Sequence, residues 1–251
     1  MIKLNRIKKI IPVKFFRKYL FFLKPLLKYY RTIKMKKFFG EFISEKDLIF
    51  DIGANQGELS EIFLKLKARV VCVEPQPDYV KKLNEKFRGN KNVIIVPFGV
   101  SDRNSKLKLY TSPKYPEIAT FSEKWRKEGR FNQEVWQEAD LVDMVTLDGL
   151  INQYGVPRFC KIDVEGYEYN VIQGLSSNEI YCLSFEFSYE FLNDAINCCR
   201  SLYRLGYNKF NFSLESNYDL ELAEYQKYED IISKIKSYKD EKLCGDIYAR
   251  Q

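Results

Sequence analysis

The sequence predicts an α/β fold, a mostly parallel sheet covered by helices on both faces. Three observations carry this expectation. From residue 46 onward, short apolar runs alternate with amphipathic stretches whose apolar residues recur at every third or fourth position. The first apolar run, LIFDI at residues 48–52, passes straight into the glycine turn GANQG and then into a helical pattern, ELSEIFLKLK. At 251 residues and 45% hydrophobic content, the chain can also bury a sizeable core, and it contains no internal repeat.

Taken in order, strands are expected over 48–52, 69–74, 93–98, 142–146, 159–163, 180–187, 207–214 and 246–250. Helices are expected over 56–66, 77–88, 147–154, 166–174, 189–205 and 225–238. Pro75 and Pro77 mark the turn after the second strand, and Asp78 is placed to cap the helix that follows. Residues 105–143 interrupt the rhythm with a short strand, LKLYT, and a polar stretch holding Trp125 and Trp136. That length predicts an insertion or lid near the active site. The two tryptophans either stack on a sugar ring or form a small satellite core.

Charge divides the chain. Residues 1–40 hold 13 Lys or Arg and no Asp or Glu, whereas the remainder is mildly acidic, with 28 basic and 34 acidic residues. This predicts a basic amphipathic helical segment over 1–40 followed by one domain over 41–251. On a helical wheel Phe15, Phe16, Tyr19, Leu20, Phe22, Leu23, Leu26, Leu27 and Tyr30 share a side opposite Arg17, Lys24, Lys28 and Arg31, with Pro25 as a kink or break. Two readings compete. In the favoured one the apolar face packs on the domain. In the other, residues 1–37 rest on anionic lipid as a peripheral interfacial helix, at the inner membrane surface of a cytoplasmic protein. The segment lacks the uninterrupted apolar core of a membrane span or signal peptide.

The sequence contains no histidine, which excludes an imidazole base and Ser-His-Asp or Cys-His nucleophilic catalysis. None of the six cysteines forms a CxxC pair, so a zinc site is not expected. Cys72, Cys160 and Cys182 fall in apolar runs, where cysteine behaves as a small hydrophobe in a reducing, cytoplasmic compartment.

The turn Asp51-Ile-Gly53-Ala-Asn55-Gln-Gly57 has the outline of a nucleotide-type loop. Glycine lets backbone approach a ligand closely, and the first helical N–H groups are free to donate. It is not the dinucleotide fingerprint, because Asn55 replaces the middle glycine and the last spacing is one residue short. Asp51 adds a carboxylate able to accept from an ammonium group such as that of a methionine. Glu74 ends the strand VVCVE and follows Gly57 by 17 residues, near the spacing at which an acid meets ribose hydroxyls. Ser101 or Asp102, in VIIVPFGVSD, is placed to meet an adenine amino group. Together these point to S-adenosylmethionine. Structural roles compete: Asp51 as a brace of the turn, Asp102 in an Asx turn, Glu74 as an exposed strand end.

The segment FCKIDVEG is an apolar strand that ends in charge, and ligands of open α/β sheets lie outside the carboxyl ends of strands. Lys161, Asp163 and Glu165 are therefore expected at the reactive edge, with Lys161 and Asp163 on one strand face. Glu186, in the next strand, adds a third carboxylate. Without histidine, Asp163 is the candidate general base, with Lys161 or Glu165 orienting it or the substrate. Alternatively, Asp163 and Glu186 bind Mg²⁺, a hard ion that prefers oxygen, although nothing in the sequence demands a metal. A plain Lys161–Asp163 ion pair holding the sheet edge is the structural alternative.

FDIGANQGELS, VEPQPDYVKKL, TLDGLI with FCKIDVEGYEYNVIQGL, and SFEFS, in that order, resemble the FkbM family of S-adenosylmethionine-dependent methyltransferases across roughly residues 47–210. KIDVEGYE is the most specific part, and IATFSEKWRKEGRF resembles a subgroup. The resemblance implies a Rossmann-like class I methyltransferase fold and O-methylation of a carbohydrate, glycolipid or small natural-product hydroxyl. Two alternatives stand beside it. One is an RNA methyltransferase using the basic arm, disfavoured by the acidic body. The other is a non-catalytic binding protein of the same fold.

Overall fold

The computed structural model describes residues 13–214 and 217–251, with side chains from residue 25 onward except residue 140. Seven strands form the main sheet: β1 (Leu48–Ile52), β2 (Arg69–Val73), β3 (Val93–Val96), β7 (Phe159–Ile162), β8 (Cys182–Ser188), β9 (Lys209–Leu214) and β10 (Cys244–Arg250). Their spatial order is β3-β2-β1-β7-β8-β10-β9. All run in one direction except β10, which lies antiparallel between β8 and β9. Every residue of β1 and of β7 is buried, as continuous apolar runs in the centre of a two-faced sheet require.

Helices cover both faces. One face carries α2 (Glu58–Lys65), α3 (Pro77–Lys86) and the C-terminal end of α1 (Val13–Phe39). The other carries α5 (Leu147–Tyr154), α6 (Glu168–Gln173), α7 (Leu192–Leu205) and α8 (Tyr228–Ser237). Pro77 opens α3 with Gln76 as its N-cap, so Asp78 falls inside the first turn and not at the cap.

The remaining strands form a second sheet. The expected strand over 142–146 is the end of a longer one, β6 (Gln137–Val145), and it does not join the main sheet. It pairs antiparallel with β5 (Ser105–Thr111) and parallel with the short β4 (Gly99–Val100). Between β5 and β6 lie a 3₁₀ turn at Pro116–Ile118 and α4 (Glu123–Glu128). The polar stretch is thus one long excursion closed by its own strand pair.

α1 runs through Pro25 without ending. It joins the core through Met35, Phe38 and Phe39, followed by Phe42 and Ile43, all buried. Phe42 stacks on Phe159 and Tyr248 at centroid distances of 5.6 and 5.4 Å, and Phe39 meets Phe63 edge-on at 5.1 Å. These are not the residues of the expected apolar face. Of that face Leu26, Leu27 and Tyr30 are described, and all three are exposed; the residues before position 25 lie outside the described side chains. No helix among the described residues is long and apolar enough to cross a membrane.

Truncating Phe39 to Ala should cost about 3–5 kcal/mol, because it removes a ring fixed among four others. Urea unfolding measures this; wild-type stability would mean that the end of α1 is not part of the core.

Candidate active site

The glycine turn follows β1 directly. Gly53 has φ +82°, and a β-carbon on it would lie 1.8 Å from the carbonyl oxygen of Asp163. Only glycine fits there. The N–H groups of Gly53 and Ala54 donate to the Val73 carbonyl at 2.9 and 3.0 Å, which locks the turn to the end of β2. Asn55, at φ +49°, donates its N–H to Glu74 Oε2 at 2.8 Å, and Gln76 N–H donates to Glu74 Oε1 at 2.9 Å. Glu74 is buried, and burial pushes its carboxyl up to about 7. Asp51, also buried, accepts from the Ser60 hydroxyl, and burial pushes it up to about 6. Gly57, at φ +69°, is the N-cap of α2 and packs under Leu83 and Phe87.

Three cavities meet at Asp163. The first is lined by Gly53, Asn55, Glu74, Gln76 and, from the second sheet and the excursion, Gly99, Leu109, Glu117 and Phe121. The second runs past Asp51, Gly53 and Asn55 to Lys28 of α1. The third is bounded by Lys161, Glu186, Asp246, Arg31 and Tyr218. Asp163 borders all of them.

Ser101 and Asp102 do not line the first cavity. β4 turns away to pair with β6, and Ser101 N–H donates to the Val145 carbonyl at 2.8 Å. The Ser101 hydroxyl is buried beside Asp102 Oδ1 (3.0 Å) and Tyr167 Oη (3.3 Å). Phe98, Gly99 and Val100, just before it, line the cavity in its place.

The reactive edge is braced from below. Lys161 is buried, and its ammonium donates to Asp246 Oδ1 at 2.8 Å and Asp163 Oδ2 at 3.1 Å. Burial alone would lower its pKa, but Asp163 and Asp246 outweigh that and hold it well above the ordinary lysine value. Glu168 accepts from the N–H groups of Val164 (3.0 Å) and Gly166 (3.2 Å), fixing the turn between them, and burial pushes it up to about 7. Glu165 has φ +54°, and its carbonyl accepts from the Thr120 hydroxyl at 2.7 Å. Gly166 leaves room for the Trp125 ring, which a β-carbon would meet at 2.8 Å. Trp125 packs with Phe131 and Phe191 as a satellite core, and so is not free to stack on a sugar.

Carboxylate oxygens of Asp163, Glu165 and Glu186 lie within 4.8 Å of one another. Burial and the neighbouring carboxylates push Glu165 and Glu186 well above the usual range. Such a trio relieves its repulsion by holding protons or by holding a hard divalent ion, and the donor set suits either. Asp246, Glu117, Arg31 and Tyr218 were not expected from sequence. Only Asp246 carried a signal there, as an acid within the strand CGDIYAR.

A profile described as the Methyltransferase FkbM domain matches residues 51–221. The chain belongs to the FkbM methyltransferase family. Its turn, strand-end acid and open sheet edge fit S-adenosylmethionine, and residues 51–221 are an S-adenosylmethionine-dependent methyltransferase domain of the Rossmann-like class I fold. Hexuronic acid methyltransferase AglP of Haloferax volcanii is 29% identical over 140 residues, covering 55% of this chain and 53% of that protein. The match therefore spans about half the length of that relative. Among solved structures, a precorrin-6y C5,15-methyltransferase from Geobacter metallireducens aligns with TM-score 0.46 and 12% identity, covering 88% of each chain. Aeropyrum pernix fibrillarin with bound S-adenosyl-L-methionine aligns with TM-score 0.44 and 12% identity, covering 83% of this chain and 68% of that one.

Burial disfavours charge on Asp51 and Glu74, whereas an ammonium or a ribose hydroxyl beside them would favour it. Their raised values make these two groups stabilising at acid pH, a contribution lost as pH rises from about 4 to about 7. A cofactor ammonium at Asp51 and a ribose at Glu74 would run the other way and release protons. S-Adenosylhomocysteine affinity should therefore fall as pH is lowered through 7 and then 6, and Glu74→Gln should flatten the upper step. Calorimetry from pH 5 to 8 tests this; a flat profile in the wild type would contradict it.

Proposed function

We propose that this enzyme O-methylates a hydroxyl of a sugar unit in a glycan, glycolipid or related small molecule, with Asp163 receiving the hydroxyl proton. The observation that carries the proposal is the position of Asp163, where the cofactor cleft opens into a cavity walled by Glu186 and Asp246. S-Adenosylmethionine supplies an electrophilic methyl group on a sulfonium, so the protein's task is to align the nucleophile and manage its proton. Asp51 would take the ammonium of the cofactor and Glu74 its ribose. Asp163 is the carboxylate that Lys161 contacts and that solvent reaches, its side chain 37% exposed. Lys161, itself buried, acts as a positioning residue through Asp163. Glu165 and Glu186, held toward their protonated forms, can donate to acceptor oxygens.

Charge supports a neutral hydroxyl. Asp163 and Asp246 more than balance the buried Lys161 ammonium, and Glu165 and Glu186 beside them add no positive charge, an environment poorly matched to a phosphodiester. The similarity to AglP, a hexuronic acid methyltransferase, supports a carbohydrate acceptor. Residues 105–143 would form a cover over the site: Thr120 and Trp125 are fastened to the reactive loop, and Arg130 pairs with Glu190 at 2.6 Å. The buried thiols Cys72, Cys160 and Cys182 fit a cytoplasmic setting.

Asp163→Asn should lower kcat by about 10²-fold or more while cofactor affinity holds. Release of S-adenosylhomocysteine against a panel of neutral and acidic glycans measures it. Wild-type turnover in the variant would remove Asp163 as the base.

A further inference from the structure

α1 carries a face that the domain does not use. Its inner side, Met35, Phe38 and Phe39, is buried. On the opposite side Leu26, Tyr29, Tyr30 and Ile33 are 63%, 67%, 67% and 48% exposed. These four stand at helical spacing and form one stripe. In sequence the same spacing runs back through Phe15, Tyr19 and Phe22, alternating steps of four and three residues. Four exposed large side chains in one stripe are not the surface of an ordinary solvated helix.

We infer that this stripe seats α1 on an anionic lipid surface. Charge selects the occupant. The first 40 residues contain 13 basic side chains and no acidic one, so pairing with a second copy of α1 would bring two strongly cationic segments together. An anionic bilayer offers apolar depth for the stripe and a negative surface potential that attracts the strongly basic segment as a whole. The tyrosines suit the interface, with an apolar ring and a polar tip. A nucleic-acid backbone would match the charge but leave the stripe in water. The helix spans about 40 Å, long enough to lie along the surface while its last turns stay anchored in the core. The inference does not depend on which acceptor is methylated.

Co-sedimentation of the full chain with vesicles tests it. Vesicles containing phosphatidylglycerol should recruit the protein, and pure phosphatidylcholine vesicles should recruit far less, with the difference shrinking in high salt. A combined Leu26→Glu, Tyr30→Glu, Ile33→Glu variant should lose recruitment at least tenfold while binding S-adenosylhomocysteine like the wild type, which also shows that it folds. Equal recruitment of variant and wild type, or no recruitment of the wild type by anionic vesicles, would overturn the inference. So would a wild-type dimer that the three substitutions dissociate in light scattering when vesicles recruit neither protein.

Discussion

Gly53 and the carbonyl of Asp163 adjoin with no space for a β-carbon between them, 1.8 Å being all that one would have. This close approach joins two halves of the site that are far apart in sequence. The turn after β1 and the loop after β7 lie side by side because their strands are neighbours in register, Ile52 beside Ile162. The glycine lets the two loops touch. A cofactor seated in the turn, as proposed, would thereby lie against the carboxylate that the next strand delivers. The same contact explains why a methyl group added at Gly53 would disturb the reactive loop as well as the cofactor turn.

Buried charge reinforces the arrangement. Lys161 is held between Asp163 and Asp246, from strands on opposite sides of β8, and so ties the parallel part of the sheet to the reversed strand β10. Removing either acid would leave an ammonium in the interior with half its compensation, which is costly in a low dielectric. Above this pair, Glu168 fixes the loop amides, Thr120 grips the Glu165 carbonyl, and the Trp125 ring fills the space left by Gly166. The segment KIDVEGYE thus serves several partners at once: Lys161 and Glu168 brace it, and Asp163 and Glu165 face the cavities.

Much of this was legible in the sequence because it is local. An apolar run followed by glycine, an acid closing the second strand, and a charged end to a fully buried strand are each written in consecutive residues. The misplaced features depend on distant pairing. The strand near residue 142 read like any other, and only its partnership with residues 99–100 and 105–111 takes it out of the main sheet. Beside that partnership, Ser101 N–H donates to the Val145 carbonyl, and Phe98, Gly99 and Val100 line the first cavity. Asp246 lies 83 residues beyond Asp163 and meets Lys161 only because β10 enters the sheet in reverse. In α1, amphipathicity alone does not say which neighbour an apolar side faces. The domain took a different set, Met35, Phe38 and Phe39.

The site's central claim is that cofactor cleft and carboxylate cluster form one reaction centre with Asp163 at the junction. A crystal structure with S-adenosylhomocysteine bound tests this most directly. The expected result has the ribose hydroxyls on Glu74 and the sulfur facing Asp163, with the cavity of Glu186 and Asp246 open beyond it. A sulfur directed away from Asp163, toward a wall without a carboxylate, would contradict it.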